Sequence, residues 1–312
     1  MAYLPRIILT EGLENTPLLW LRAHAQVQEI SARDPAALAG ALRQAEGLIV
    51  RTYTQVNAAL LATAPLLRAV GRAGVGLDNI DQPACGARGV KVFSTPSANT
   101  QAVCEYVFNL IFSWGRPLVR LHEAIPAEAY HGYRKSVRGM ELHGQTIGIV
   151  GMGRIGHAVG RVAHALGMRV LYNDLIPITD LDFPATATGK EQLFRESDII
   201  TIHTDMRAGN HHLVNAHLLS LCQAHALLLN TARGQLVDAA ALATALKAGQ
   251  LAGAALDVQE PEPPTADYPL LGLPNVILAP HLAARTQGAM DRMSWVARDV
   301  VEYLVSTHVD QP

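Results

Sequence analysis

The stretch that most restricts what this chain can fold into is TIGIVGMGRIG, residues 146–156, where a mostly apolar run meets glycines at 151, 153 and 156. Such a run reads as a buried strand that turns sharply and passes at once into a helix. Ile155, Val159, Val162 and Leu166 carry helical spacing onward, and Gly167 is placed to end the helix. Each fingerprint glycine has its own task. Gly151 permits the turn, Gly153 lets backbone approach a pyrophosphate, and Gly156 lets helix and strand pack closely. The helix start, where Arg154 and Ile155 follow, offers unpaired N–H groups and partial positive charge to phosphates. The next strand, MRVLYND, ends at Asp174, 18 residues after Gly156. A carboxylate there accepts hydrogen bonds from both ribose hydroxyls and repels a 2′-phosphate, so NAD is expected in preference to NADP.

Around this landmark, strand-like and helix-like runs alternate. Before it come RIILT, DPAALAGALRQA with Asp34 as N-cap, GLIVRT, NAALLATAP, LRAVGRA, QPACGAR and VKVFS. The Ser/Pro/Asn cluster STPSAN at 94–99 reads as a boundary, followed by a linking helix, TQAVCEYVFNLIFSW. A polar segment with turn signals, HEAIPAEAYHGYRKSVRGMELHGQ, leads into the fingerprint. Beyond it lie the strands DIITIH, ALLLN, AGAALDV and NVILAP, then one closing helix, TQGAMDRMSWVARDVVEYL. Alternation of this kind calls for parallel strands joined by crossover helices, hence two doubly wound α/β units.

Bulk properties narrow the partners. The 312 residues are 49% hydrophobic and 17% charged, enough apolar material for sizeable cores, and the net charge of -2 gives no basic field for nucleic acid or an anionic membrane. No stretch reaches the apolar length of a membrane span, and the N-terminus lacks a signal-peptide pattern. Cys85, Cys104 and Cys222 are odd in number and unpatterned, as expected of buried thiols in a reducing cytoplasm rather than disulfides or zinc ligands. The neighbours His211 and His212 are expected to diverge in a solvated loop and to bind no metal.

Three chemically able residues stand where later strands end: Arg233 in NTARG, Glu262 in DVQEPEP and His281 in APHLAART. Carboxyl ends of strands converge on the ligand crevice of a doubly wound sheet, so these side chains can meet although they stand 29 and 19 positions apart. Arg233 by itself remains open between a solvated charge, a structural ion pair and an anion receptor. With IVRTYT, GRAGVGLDNID, ELHGQTIGIVGMGRIG, NTARG, ALDVQEPEP and APH all in order, the chain resembles the NAD-dependent D-2-hydroxyacid dehydrogenase family over essentially its whole length. It is most similar to the phosphoglycerate dehydrogenase and hydroxypyruvate reductase branch, and is expected to lack the C-terminal regulatory extension some phosphoglycerate dehydrogenases carry.

The resemblance implies a Rossmann NAD-binding domain at 99–283 inserted into a flavodoxin-like substrate domain made of 1–98 and 284–312. It implies closure of the two domains about a site between them, reversible oxidation of a D-2-hydroxy acid to its 2-keto acid, a homodimer and a cytoplasmic location. His281 would be the acid/base, Glu262 would orient its imidazole and favour the charged form, and Arg233 would bind the substrate carboxylate and the C2 oxygen. The N–H groups of Val75 and Gly76 would meet the carboxylate, with Arg51 and Asn99 nearby. Asp257 would hold the nicotinamide carboxamide, while Thr204, Thr231 and Ala232 would line the cofactor. The chain departs from the family pattern at Asp205, where proline is usual, at Tyr133, where tryptophan is frequent, and at Ala283 and Ala284, where glycine is common. Glu262 speaks against formate dehydrogenases, which carry glutamine there. Phosphite dehydrogenases and NAD-sensing corepressors of the same superfamily are the competing readings, the latter distinguished by extended tails.

Overall fold

The computed structural model describes residues 3–116, 118 and 124–309. The chain divides into two compact units, one made of Met1–Asn99 with Ala284–Pro312 and the other of Thr100–Ala283.

The first unit runs β1 (Arg6–Leu9), α1 (Asn15–His24), β2 (Gln26–Glu29), α2 (Pro35–Leu42), β3 (Gly47–Val50), α3 (Ala58–Ala62), β4 (Ala69–Arg72), α4 (Gln82–Ala87) and β5 (Lys91–Ser94). Its strands are all parallel in the order β2-β1-β3-β4-β5, the flavodoxin-like arrangement. The period of two along a strand sorts the side chains: Ile8 packs with Leu48, Leu61 and Cys85 on one face, while Ile7 and Leu9 pack with Leu21, Val300 and Leu304 on the other. Helix starts are fixed by short polar side chains, with Asp34, Asn57 and Asp81 accepting from the N–H groups of Ala37, Leu60 and Ala84. Two elements here escape a reading of the sequence. Helix α1 begins without a side-chain cap at Glu14, and β2 is an edge strand, QVQE, with no buried residue to give it an apolar alternation.

The second unit contains α5 (Thr100–Gly115), α6 (Ala127–Ser136), β6 (Thr146–Val150), α7 (Arg154–Ala165), β7 (Arg169–Asn173), β8 (Thr186–Ala187), α8 (Lys190–Glu196), β9 (Ile199–Ile202), α9 (Ala216–Ser220), β10 (Leu227–Asn230), α10 (Ala239–Lys247), β11 (Gly253–Leu256) and β12 (Val276–Leu278). The sheet is parallel, in the order β12-β11-β10-β9-β6-β7-β8. Counted from the unit's own first strand, that is the dinucleotide-binding order 3-2-1-4-5-6 with a seventh strand added at the far edge. The strands β6, β9, β10 and β11 are buried along their whole length, as a sheet covered on both faces requires.

Some elements differ from expectation. The helix expected to link the halves is core material: Val107, Phe108 and Ile111 of α5 pack with Ile147, Ile149 and Val159. A Cβ on Gly253 would lie 2.0 Å from the Trp114 ring, so only glycine admits α5 this close to β11. The polar segment before the fingerprint contains α6, none of whose residues is buried, which is why no apolar stripe announces it. His122 and Glu123, at the start of that segment, lie outside the described residues. The closing helix is two, α11 (Gln287–Ser294) and α12 (Val296–Val309), separated at Trp295. Both belong to the first unit, where Gly71 leaves room for Val300, 2.6 Å from where a Cβ would be. Among the described residues no helix is long and apolar enough to cross a membrane.

Candidate active site

In the second unit the strand order reverses between β6 and β9, and the loops at their carboxyl ends open there. Gly151 follows β6 with φ 94°, a left-handed conformation that a side chain resists, and its Cβ would press on the His203 backbone at 2.8 Å. Gly156 packs against the Gly151 carbonyl, which would lie 2.1 Å from an added Cβ. Gly153, just before α7, faces open space: a Cβ there would meet nothing within 4 Å, which leaves a vacant cradle at the start of the helix. Arg154 and Ile155 open α7. Asp174, following β7, accepts from the Met152 N–H at 2.7 Å through Oδ2 and from the Leu175 N–H at 2.7 Å through Oδ1. One carboxylate thus ties the glycine turn to the end of the neighbouring strand.

The cofactor-side residues at the next strands fall into two groups. Thr204 and Asp205 start a compact loop in which Asp205 pairs with Arg207 through two 2.9 Å contacts and its carbonyl accepts from Asn210 Nδ2 at 2.9 Å. The carboxylate in proline's place therefore organises the loop by pairing. Thr231 and Ala232 follow β10, and Thr231 Oγ1 is buried with no hydrogen-bond partner among the described residues, a polar atom positioned for something that brings its own donor or acceptor.

Asn230, wholly buried at the end of β10, shapes the turn that presents Arg233. Its Oδ1 accepts from the Ala232 N–H at 3.0 Å and its Nδ2 donates to the Arg233 carbonyl at 2.7 Å. Gly234 opens the short 3-10 turn Gly234–Leu236, and its necessity is one of space: a Cβ would lie 2.0 Å from the Gln259 carbonyl oxygen and 2.7 Å from Glu260 N. That close approach sets the Arg233 backbone directly against the loop that carries Glu262.

His281 Nδ1 and Glu262 Oε2 are 2.9 Å apart, both side chains about one-third exposed at 39% and 34%. Glu262 Oε1 accepts from the Gln259 N–H at 3.1 Å, and the buried Gln259 side chain donates to Ala279 O at 2.9 Å. Burial pushes the Glu262 carboxyl upward. The His281 hydrogen bond and charge, the Gln259 N–H and the Arg233 charge outweigh it and hold the group below the usual carboxylate range.

His281 itself is left-handed, with φ 57°, a conformation uncommon for a residue with a Cβ. Asp257 holds it there. The His281 N–H donates to the Asp257 carbonyl at 2.7 Å, and the Asp257 carboxylate accepts from Leu282 N–H and Ala283 N–H, each at 2.7 Å. Asp257 is fully buried, and desolvation leaves its pKa raised despite those two amide bonds. Sequence reasoning placed Asp257 at the cofactor; its clamp on the histidine loop, and the supporting parts of Asn230 and Gln259, it missed. An asparagine or glutamine inside an otherwise apolar strand-end motif was the available signal.

In the first unit, the strand order reverses between β1 and β3, and there Glu11 accepts from the N–H groups of Arg51, Thr52, Tyr53 and Thr54 at 2.8–3.2 Å. Burial raises the Glu11 pKa, but these backbone donors win and leave it lowered. Arg51 Nη1 donates to Gly12 O at 3.2 Å, and burial, then the nearby Arg285 charge, lower its pKa. The turn after β4 bonds Gly74 N–H to Arg72 O and Thr95 N–H to Gly74 O, and among the described residues it uses neither the Val75 nor the Gly76 N–H. Asn99 Oδ1 is buried without a hydrogen-bond partner among the described residues.

One expectation about His211 and His212 is overturned. Their rings do not diverge; the centroids lie 4.0 Å apart at an interplanar angle of 26°. His212 adopts φ 50°, which breaks the alternation that throws neighbouring side chains to opposite sides.

Residues 108–283 match the family model for the D-isomer specific 2-hydroxyacid dehydrogenase, NAD binding domain. The chain is 39% identical over 257 residues to (S)-sulfolactate dehydrogenase of Chromohalobacter salexigens, covering 81% of this chain and 82% of the relative. It is 34% identical over 305 residues to a glyoxylate reductase of Aeropyrum pernix, covering 95% and 91%. Among solved structures it is similar to D-lactate dehydrogenase from Aquifex aeolicus complexed with NAD and lactic acid, with a TM-score of 0.83, 27% identity and coverage of 98% and 96%.

Proposed function

The chain belongs to the D-isomer specific 2-hydroxyacid dehydrogenases, and on that premise we propose that it interconverts a D-2-hydroxy acid and its 2-keto acid with NAD, through His281, Glu262 and Arg233. It is an oxidoreductase that uses a nicotinamide dinucleotide. The observation that carries the residue assignment is the 2.9 Å contact of His281 Nδ1 with Glu262 Oε2, on a loop packed against the Arg233 turn.

The Gly153 cradle and the partnerless Thr231 hydroxyl fit such a cofactor, with Gly151, Gly156, Arg154 and Asp174 around it. A bound nicotinamide supplies or accepts the hydride at substrate C2. The protein does the rest. With Nδ1 donating to Glu262, His281 leaves Nε2 to take the C2 hydroxyl proton during oxidation and to return it during reduction. Glu262, held ionised by its partners, fixes the ring and stabilises the imidazolium that forms. The Arg233 guanidinium binds the substrate carboxylate and polarises the C2 oxygen. The part proposed for Val75 and Gly76 as carboxylate donors rests on their motif and on the N–H groups the local turn leaves unused. Asp174 favours NAD over NADP by like-charge repulsion. A homodimer in the cytoplasm is the assembly and location that the family resemblance favours.

An initial-rate screen with NADH tests this reading. Glyoxylate, hydroxypyruvate, pyruvate, phosphohydroxypyruvate and sulfopyruvate, the last suggested by the sulfolactate relative, should include at least one substrate whose turnover collapses in His281→Ala. A flat response across the panel refutes the proposed activity.

A further inference from the structure

We propose that His211, His212 and Glu260 form a binding site for one transition-metal dication of the zinc, cobalt or nickel type. His211 Nε2 lies 3.8 Å from Glu260 Oε1, and His212 Nε2 lies 3.7 Å from Glu260 Oε2. The three ligand atoms all fall within 4.8 Å of one another. Both contacts are too long to be hydrogen bonds, so the carboxylate is not consumed by either ring. Metal–nitrogen and metal–oxygen bonds of about 2.0–2.2 Å in tetrahedral array put neighbouring ligand atoms roughly 3.4 Å apart, so the two His–Glu260 contacts need close by only a few tenths of an ångström, and the widest separation within the 4.8 Å group by at most about 1.4 Å. Two stacked imidazolium rings repel each other; two stacked imidazoles aimed at one carboxylate offer lone pairs to a cation between them. Solvent completes the coordination.

The surroundings are built to keep these ligands in place. His212 N–H donates to Gln235 O at 2.8 Å, which fixes its left-handed backbone. On the far side of the same ring, Asp238 Oδ2 stands 4.0 Å from His212 Nδ1, while Asp238 Oδ1 caps α10 by accepting from Ala241 N–H at 2.9 Å. That gap is also too long for a hydrogen bond; once it closes on metal binding, a carboxylate behind a ligating imidazole orients the ring and raises its basicity. Glu260 sits on the Gln259–Glu262 loop, whose Gln259 N–H holds Glu262. An ion on Glu260 therefore fastens that loop to the 211–212 turn. This last consequence matters for activity only through the proposed function; the binding does not depend on it.

The test uses the full-length chain without a polyhistidine tag, stripped of metal and titrated with Co²⁺ by visible absorption and equilibrium dialysis. One ion per chain with a d–d band is expected, displaced by Zn²⁺. Each of His211→Ala, His212→Ala and Glu260→Gln should weaken binding at least tenfold, and Asp238→Asn roughly 10- to 100-fold, the range for a partner behind a metal-bound histidine. Circular dichroism spectra matching wild type assign those losses to the site rather than to misfolding. Amide exchange at 259–262 should slow when Co²⁺ is added. Undiminished Co²⁺ affinity in the His211→Ala/His212→Ala double variant, or no binding by wild type at micromolar metal, overturns the site. Unchanged exchange at 259–262 overturns the loop coupling.

Discussion

At the scale of single residues, the proposed chemistry turns on geometry as much as on charge. Arg233→Lys keeps a cation on the Asn230-shaped turn but loses the planar fork that meets a carboxylate and an adjacent oxygen together. We expect kcat/KM to fall about 100-fold, comparable to removing one donor from an oxyanion site. Steady-state kinetics on the best substrate would read this, and an unchanged value would return Arg233 to a structural ion pair. Glu262 gives a second prediction. Its folded pKa is depressed, so the stability it contributes is present above the ordinary carboxylate pKa of about 4.3 and is lost as pH falls through the folded value. Wild type should exceed Glu262→Gln in urea stability at pH 7, with the gap shrinking by pH 3. A gap independent of pH would mean that Glu262 is not held ionised by its neighbours. Which residues to test was readable from NTARG, QEPEP and APH, and the family resemblance implied the pairing of Glu262 with His281; the Asn230, Gln259 and Asp257 contacts that hold them were not readable, because such hydrogen bonds leave no trace in local spacing.

At the scale of elements, close backbone approaches do the positioning. Gly234→Ala adds a Cβ 2.0 Å from the Gln259 carbonyl oxygen, so either the Arg233 turn or the Glu262 loop must shift. The expected outcome is a loss of activity of at least tenfold, with a melting temperature lowered by several degrees, since strain of this kind costs about 1–3 kcal/mol. Kinetics and a thermal melt on one preparation would check it, and wild-type behaviour in both would show that the loop yields freely. The elements themselves were largely legible. Strands β6, β9, β10 and β11 announce themselves as mostly apolar runs, and Asp34 marks a helix start. The exposed pieces were not: β2 and α6 bury nothing, and without burial a sequence has no reason to show apolar periodicity.

At the scale of the molecule, ligand binding and stability are linked. If Asp174 selects NAD, NADH at about 100 times its dissociation constant should add about 2.7 kcal/mol to stability, while NADPH at the same concentration adds much less. Thermal melts with each nucleotide would show it, and an equal or larger shift with NADPH would refute the selection. The sequence by itself determined the alternation of strand and helix, the glycine turn and the residue types at the strand ends, because each is written in neighbours a few positions apart. Only the tertiary structure decided that Asp257 clamps the histidine loop, that Gly234 admits the Gln259–Glu260 backbone, and that His211 and His212 stack towards Glu260. Those relations join positions some 20 to 50 residues apart. They exist because the strand order sets the loops after β9, β10, β11 and β12 side by side, and local periodicity carries no record of that order.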